Sequence, residues 1–241
     1  MDRLPDKSSR QGSGSILFCG DCHGQFDHVI EAARAFLPAA IIFLGDMESP
    51  APLDQVLAPI LDASEVWWIH GNHDTDRESS YDNLFGSALA ERNLHGRVVE
   101  VAGMRIAGLG GVFREKVWGP PAAPLFESAE DFLRRGGRGN RWRGGLPLKH
   151  RSTIFPADYH RMMKQRADVL VTHEAPSLWP SDYGKPAIDR LAQAMHVACG
   201  FHGHLHGDRA HGDSLGFTAY GVGLRGVMDL DGHAVVPGEV E

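Results

Sequence analysis

Five apolar segments of this sequence each end in glycine or threonine, and each is followed by side chains that can bind metal ions. Apolar runs of this length, separated by amphipathic segments, predict buried strands that alternate with helices. In an open α/β sheet, ligands bind at the edge where the carboxyl ends of the strands meet. The sequence therefore predicts an α/β fold with one polar rim. The five segments are SILFCG (15–20), AAIIFLG (39–45), EVWWIHG (65–71), ADVLVT (167–172) and HVACGFHG (196–203).

Further elements are predicted between and after these strands. Apolar residues at helical spacing indicate a helix around residues 26–37, and a second helix is expected near 53–62. Residues 98–111 are typical of two strands joined by a tight turn at Ala102-Gly103, and residues 217–230 supply more strand. Hairpins late in the chain indicate that the largely parallel core has a mixed or second sheet.

Composition excludes several classes of protein. The net charge of -7 argues against a general binder of nucleic acid or of membrane surfaces. No apolar run approaches the roughly 20 residues that span a bilayer, and the first residues lack the apolar core of a signal peptide. Three cysteines provide no disulfide framework, which favours a cytoplasmic location. We expect a flexible tail at residues 1–14 and a single domain at 15–241.

Residues 112–157 are predicted to form a long insertion rich in Gly, Pro and Arg. Between Arg134 and Arg151 it contains seven Arg or Lys residues and no acidic residue. These arginines either cap the functional site and bind phosphate, or pair with acidic groups on the protein surface. A third interpretation is contact with nucleic acid through Trp142, against which the negative net charge argues.

The side chains at the strand ends are carboxylates, carboxamides and imidazoles. Any one of them alone is an ordinary turn residue, but five strand ends in succession indicate a metal site. Oxygen and imidazole donors without thiolate favour Mn²⁺, Fe or Zn²⁺ over a structural zinc. The donors are too numerous for one ion, so two ions are predicted. The strand-end residues are Asp21, His23, Asp46, Glu48, Asn72, His73, Asp74, His173, Glu174, His204 and His206.

The motifs GDCHG, GDMES, GNHD, VTHEAP and GHLH, in that order, resemble the motif series of the calcineurin-like metallophosphoesterase superfamily. The resemblance extends over about residues 15–230. It implies a four-layer αββα sandwich with a dinuclear metal site at the carboxyl ends of the strands. It also implies that His73 is the general acid that protonates the leaving oxygen. The ligands that it implies are Asp21, His23 and His206 for one ion, Asn72, His173 and His204 for the other, and Asp46 as the bridge.

Two parts of the site are less well defined by the sequence. His73 needs a partner that orients its ring, and Glu48 and Asp74 are the candidates. The serine/threonine phosphatases of the superfamily carry a longer second motif that ends in DRG, where this chain has Ser49 and Pro50. The phosphate-binding arginine of those enzymes is therefore missing, which argues against a protein phosphatase and against the bis(nucleosyl)-tetraphosphatase relatives.

Another arginine of the chain could take over the contact with phosphate. Arg114 and Arg225 each follow a predicted strand, and they are the candidates for a substrate phosphate contact.

The leading hypothesis is hydrolysis of a phosphomonoester, either a phosphorylated small molecule or a phosphoprotein, by a water that two divalent ions activate. Mn²⁺ is the favoured ion, with Fe, Zn²⁺ or Ni²⁺ as alternatives. Two other functions are considered: a phosphodiesterase acting on a cyclic nucleotide, nucleic acid or lipid-linked diphosphate, and a scaffold without catalysis. The filled ligand positions argue against the scaffold, and the sequence leaves the oligomeric state open.

Overall fold

The chain forms two β-sheets that pack face to face, with helices on both outer faces. This computed structural model describes residues 15–137, 141–177, 183–211 and 216–239, and the predicted tail at 1–14 lies outside them. The strands are β1 Ile16–Cys19, β2 Ala40–Phe43, β3 Glu65–Trp68, β4 Arg97–Val101, β5 Met104–Leu109, β6 Val169–Thr172, β7 Cys199–His202, β8 Arg209–His211, β9 Thr218–Gly221, β10 Val227–Asp229 and β11 Ala234–Val236. The α-helices are α1 Asp27–Phe36, α2 Leu53–Val56, α3 Glu78–Phe85, α4 Ala129–Arg135, α5 Pro156–Met162 and α6 Pro186–Met195.

Each sheet has a parallel centre and at least one antiparallel edge. The first sheet has the order β11-β10-β1-β2-β3, in which β1, β2 and β3 are parallel and β10 runs antiparallel to β1. The second has the order β4-β5-β6-β7-β9-β8, in which β5, β6, β7 and β9 are parallel and both edge strands are antiparallel. This arrangement confirms the predicted four-layer αββα sandwich.

The central strands β1 and β2 are apolar and buried along their whole length because both faces of the sheet are covered there. Successive side chains of a strand point to opposite faces. Ile16 and Phe18 of β1 therefore face the second sheet, whereas Leu17 and Cys19 face the helices. Across the interface, the rings of Phe18 and Phe201 stack with their centroids 3.7 Å apart. Both rings belong to the apolar core that joins the two sheets.

The outer layers are amphipathic helices. Val29 and Ala33 of α1 are buried against the first sheet, and Ile188 and Leu191 of α6 are buried against the second. The spacing of three or four residues places each pair on one face of its helix. None of the described helices is long and apolar enough to cross a membrane.

The local predictions are confirmed in part. Ala102 and Gly103 both have positive φ angles, as the tight turn between β4 and β5 requires. The helix expected near 53–62 is shorter, because α2 ends at Val56 and the chain continues in turns. Pro59 explains the early end: it lacks a backbone N–H and disfavours helical geometry at the preceding residue.

The insertion at 112–157 is more ordered than its composition predicts. It contains α4, a 3-10 helix at Leu148–Ser152, and the start of α5. The Oγ atom of Ser128 caps α4 by accepting a hydrogen bond from the backbone N–H of Asp131. A serine three residues before an acidic residue is a helix-start signal, and here it marks a helix that apolar periodicity did not reveal.

We predict that Phe201→Ala lowers the free energy of unfolding by about 3–5 kcal/mol, since it removes a buried ring from the interface between the sheets. Urea unfolding of the mutant and wild-type proteins measures this difference. Phe36→Ala is the control, because Phe36 is 54% exposed, and we expect it to change stability by less than about 0.5 kcal/mol. Similar losses in the two variants would contradict the role of the stacked pair.

Candidate active site

The predicted ligands follow strands of both sheets, at the edge where the parallel strands end. The first sheet supplies the residues after β1, β2 and β3, and the second supplies those after β6 and β7. In the structure these residues form two adjoining groups. Cluster 1 is defined as Asp21, His23 and His206, and cluster 2 as Asp46, Asn72, His173 and His204.

Cluster 1 brings three potential ligand atoms to within 4.8 Å of one another. The Nε2 atoms of His23 and His206 are 3.4 Å apart, and Nε2 of His206 is 3.2 Å from Oδ2 of Asp21. Oδ1 of Asp21 is buried and has no hydrogen-bond partner among the described residues. A buried carboxylate oxygen without a partner is costly, and a bound cation would satisfy it.

Cluster 2 has the same construction. Atoms of Asp46, His173 and His204 lie within 4.8 Å of one another, and Oδ1 of Asn72 is 3.3 Å from Nε2 of His173. Oδ2 of Asp46 lies 3.2 Å from the same nitrogen. The two clusters adjoin, because Nδ1 of His173 is 3.9 Å from Oδ1 of Asp21.

Hydrogen bonds on the far side of two imidazole rings set their tautomers. Nδ1 of His23 donates to Oε2 of Glu48 at 2.7 Å, and Nδ1 of His173 donates to the carbonyl oxygen of Leu44 at 2.8 Å. With the proton held on Nδ1, the neutral ring presents the lone pair of Nε2 to the cluster. In cluster 2 that lone pair faces two acceptor oxygens, which is repulsive without a positive charge between them.

The pKa values of two imidazoles in cluster 2 reflect the same demand for positive charge. Burial acts to lower the pKa of His173, but the charge and hydrogen bond of Asp46, with the charge of Asp21, raise it to about 10. Burial and the neighbouring His173 lower the pKa of His204 to about 4. A proton on His173 therefore balances the carboxylates in the metal-free protein, and a divalent cation fits in its place.

The backbone makes room for the ligands. A Cβ atom on Gly71 would lie 2.2 Å from Oδ1 of Asp46 and 2.5 Å from its backbone nitrogen. Gly71 precedes Asn72, so only a glycine lets this loop pass so close to a ligand of cluster 2.

Four proposed ligands have left-handed backbone conformations. Their φ angles are 42° at His23, 47° at Asp46, 69° at His204 and 49° at His206. Such angles cost a residue with a side chain roughly 1–2 kcal/mol. Strain of this kind concentrates at functional sites, where the fold must aim a side chain at a fixed point.

His73 lies beside cluster 1, with its ring centroid 5.6 Å from that of His23. Its backbone N–H donates to Oδ1 of Asp46 at 2.7 Å, which ties the loop after β3 to cluster 2. Burial acts to lower the pKa of His73, but the charge of Asp46 and the hydrogen bond with Asp76 raise it. The position is consistent with a proton donor at the rim.

Neither Glu48 nor Asp74, the expected orienting residues, is hydrogen-bonded to the His73 ring in the structure. Glu48 is bonded to His23, and the buried Asp74 accepts hydrogen bonds from the backbone nitrogens of Glu48 and Gly71, both at 2.8 Å. Asp74 therefore holds two loops together and does not contact the His73 ring. The ring is bonded instead to Asp76, which the sequence analysis missed.

A sequence signal for Asp76 exists. Residues His73–Thr75 form a 3-10 helix, in which side chains three residues apart lie one above the other. A histidine and an acidic residue at that spacing are therefore placed to pair, but the 3-10 geometry itself was not predicted.

The two candidate phosphate-binding arginines differ in their surroundings. Nη1 of Arg225 pairs with Glu239, so its charge is already compensated. Arg114 donates from Nη2 to Oγ of Ser152 at 3.2 Å. Burial lowers the pKa of Arg114, whereas the negative charges of Asp76 and Asp46, among others, act in the opposite direction. Arg114 is thus the candidate whose charge interacts with the site.

Most arginines of the basic run pair with groups of the protein itself. Arg134 and Arg135 bind Asp131, and Arg143 binds Asp82 and Glu78 of α3. The guanidinium of Arg143 also lies over the ring of Trp142, 4.2 Å from its centroid. Arg141 donates to a backbone carbonyl oxygen, and Arg151 donates to the hydroxyl of Tyr81. Arg138 lies outside the described residues. These contacts favour the interpretation in which the run pairs with surface acids.

Residues 14–208 match the family model for calcineurin-like phosphoesterases. The chain belongs to this family. It is therefore a hydrolase that acts on phosphoester bonds, in a family that depends on metal ions.

Two proteins illustrate the range of similarity to this phosphoesterase. A protein of Haemophilus influenzae, named as an uncharacterized protein, is 40% identical over 218 residues, which are 90% of this chain and 95% of that protein. The crystal structure of TT1561 of Thermus thermophilus has a TM-score of 0.60 and 14% identity, covering 92% of this chain and 97% of that one. At that identity, the second similarity supports the fold alone.

We predict that Gly71→Ala lowers the affinity of the phosphoesterase for divalent ions at least about 10-fold, because the added methyl group displaces Asp46. Metal content after dialysis against a competing chelator measures the change. Gly137→Ala is the control, since a Cβ atom there would meet nothing within 4 Å. Full metal content in Gly71→Ala would contradict the role of Asp46 as a ligand.

We also predict that Asp46→Ala and His73→Ala separate metal binding from turnover. Asp46→Ala should lose metal together with activity, whereas His73→Ala should keep its metal and lose about 10²- to 10⁴-fold in kcat, as expected for a general acid. Elemental analysis and steady-state kinetics on the same preparations provide both readouts. Equal metal content in the two variants would contradict the proposed role of Asp46.

Proposed function

We propose that this calcineurin-like phosphoesterase hydrolyses a phosphomonoester, using one divalent ion in cluster 1 and a second in cluster 2. The donor sets support two ions: each combines carboxylate with imidazole, and cluster 2 adds a carboxamide oxygen. These donors suit Mn²⁺, which we favour, as well as Fe, Zn²⁺ or Ni²⁺. When bound, the ions would activate a water and offset the negative charge of the phosphate group.

The protein groups around the clusters have separate tasks in this proposal. Asp46 of cluster 2 would serve as a ligand shared by the two ions. Glu48 and the carbonyl of Leu44 hold His23 and His173 in the tautomers that leave Nε2 free. His73 donates a proton to the leaving oxygen, so that an alcohol departs in place of an unstable alkoxide.

The single observation that carries the choice of a monoester is the position of Arg114. A monoester phosphate bears more negative charge than a diester, so it gains more from an added cation near the site. Arg114 is half-buried, bonds the neutral Ser152, and its charge interacts with Asp46 and Asp76. These surroundings support a role for its guanidinium in binding a phosphate oxygen through charge-assisted hydrogen bonds.

The surroundings of His73, the proposed proton donor, place little limit on the size of the substrate. The side chain of His73 is 48% exposed, so the leaving group can extend from the rim into solvent. A phosphorylated small molecule and a phosphoprotein side chain are both compatible with this opening.

The proposal is tested with p-nitrophenyl phosphate and bis(p-nitrophenyl) phosphate, using chelator-stripped protein to which Mn²⁺, Ni²⁺, Zn²⁺ or Mg²⁺ is restored. We expect metal-dependent release of nitrophenol with preference for the monoester. Preference for the diester would replace the proposal with a phosphodiesterase, and no hydrolysis of either ester with any of these ions would contradict it.

We predict that Arg114→Ala lowers kcat/KM for the monoester about 10- to 100-fold, which corresponds to loss of a charge-assisted hydrogen bond. The effect on the diester should be smaller, because the diester has less charge to bind. Arg143→Ala is the matched control, since that guanidinium is bonded to Asp82 and Glu78 of α3. Equal effects of Arg114→Ala on both esters would argue against recognition of the monoester charge.

A further inference from the structure

We propose that Asp76 is the positioning residue for His73, holding its imidazole in the orientation and tautomer that deliver a proton to the leaving oxygen. The inference rests on the proposed function, because it assigns a partner to the proton donor of that reaction. It replaces both carboxylates that the sequence analysis considered for this role.

The contact between the two side chains is direct. Nδ1 of His73 donates to Oδ2 of Asp76 at 2.7 Å. An ionised carboxylate can only accept a hydrogen bond, so the Nδ1 atom carries a proton and Nε2 is the nitrogen that exchanges one. The backbone N–H of Asp76 also donates to the carbonyl oxygen of His73 at 3.1 Å, so the turn itself brings the two side chains together.

The backbone of this turn is fixed on both sides. The backbone N–H of His73 donates to Asp46, and the buried Asp74 holds the loops at Glu48 and Gly71. Oγ1 of Thr75 is 2.7 Å from Oγ of Ser152 in the insertion. What remains free is rotation of the His73 side chain.

Packing does not remove that freedom. The side chains of His73 and Asp76 are 48% and 45% exposed. A ring that is half in water is held mainly by the hydrogen bond it makes. Asp76 is therefore the group that limits the rotation of His73 and keeps Nε2 directed toward the substrate.

The other carboxylates around the ring are already engaged. Glu48 is bonded to His23, and both oxygens of Asp74 accept backbone hydrogen bonds. Asp46 accepts from the His73 backbone through Oδ1 and faces His173 through Oδ2. Asp76 is the carboxylate that bonds the ring of His73.

Atoms and charge balance in the proton transfer. The oxygen of the attacking water forms a bond to phosphorus and loses a proton to solvent, while the phosphorus–oxygen bond to the leaving group breaks and its electron pair goes to the leaving oxygen. That oxygen takes the proton from Nε2 of the His73 imidazolium, leaving a neutral ring with its remaining proton on Nδ1. Asp76 keeps this Nδ1 proton in place throughout, and Nε2 regains a proton from solvent before the next turnover.

The test compares Asp76→Asn with the wild-type holoenzyme on p-nitrophenyl phosphate and phenyl phosphate. The two esters have nearly the same size, but p-nitrophenolate leaves readily without a proton and phenolate does not. We expect Asp76→Asn to lower kcat on phenyl phosphate about 10-fold or more, with KM little changed and turnover of p-nitrophenyl phosphate much less affected. The pair is exposed, so the variant should fold and keep its metal.

Two controls complete the design. Asp62→Asn makes the same change of charge at an exposed position before the amino end of β3, away from the site, and should hydrolyse both esters as the wild type does. His73→Ala/Asp76→Asn should hydrolyse phenyl phosphate no more slowly than His73→Ala, because Asp76 acts only through His73.

Three results would overturn the inference. The first is an equal loss on both esters in Asp76→Asn, and the second is wild-type turnover in that variant while His73→Ala is impaired. The third is a double variant slower than His73→Ala. All three leave the proposed function standing, whereas a wild-type protein that hydrolyses neither ester with any restored metal would overturn both.

Discussion

Both ligand clusters draw on both sheets, so the packing of one sheet against the other is the constraint on which the site depends. Cluster 1 takes Asp21 and His23 from the loop after β1, and His206 from the segment after β7. Cluster 2 likewise combines residues that follow β2 and β3 with residues that follow β6 and β7. The core between the sheets, which includes the stacked rings of Phe18 and Phe201, holds them together. Metal binding at these clusters would therefore be thermodynamically coupled to sheet packing, because neither sheet alone holds a complete cluster.

Around the clusters, each acidic side chain is matched to a different kind of donor. Glu48 is hydrogen-bonded to the imidazole of His23 in cluster 1. Asp74 is bonded to backbone amides, and Asp76 to the ring of His73. This division follows from burial. The fully buried Asp74 needs fixed backbone donors, whereas the exposed Asp76 bonds a ring that is itself open to solvent.

The sequence predicted those parts of the molecule that follow from apolar runs and from short motifs. Strands β1 to β3 are largely apolar segments, and the candidate ligands follow each of them within a few residues, so both could be predicted without coordinates. Contacts that depend on the geometry of a particular turn could not be predicted from the sequence. The pairing of His73 with Asp76 needs the 3-10 helix, and the difference between Arg114 and Arg225 depends on which neighbours the fold brings to each guanidinium. The helix α4 was missed because seven residues with one capping serine are too short to show periodicity.

The left-handed backbone at His23, Asp46, His204 and His206 has a consequence for how this protein can be engineered. Glycine adopts such angles without the steric penalty, so substitution by glycine at any of these positions relieves backbone strain while it deletes a ligand. A directed-evolution library selected for heat resistance in the presence of a chelator, where bound metal adds no stability, would therefore tend to enrich variants that have lost their chemistry. The most robust chains in such a library would be poor enzymes, because at these four positions the fold and the reaction favour different amino acids.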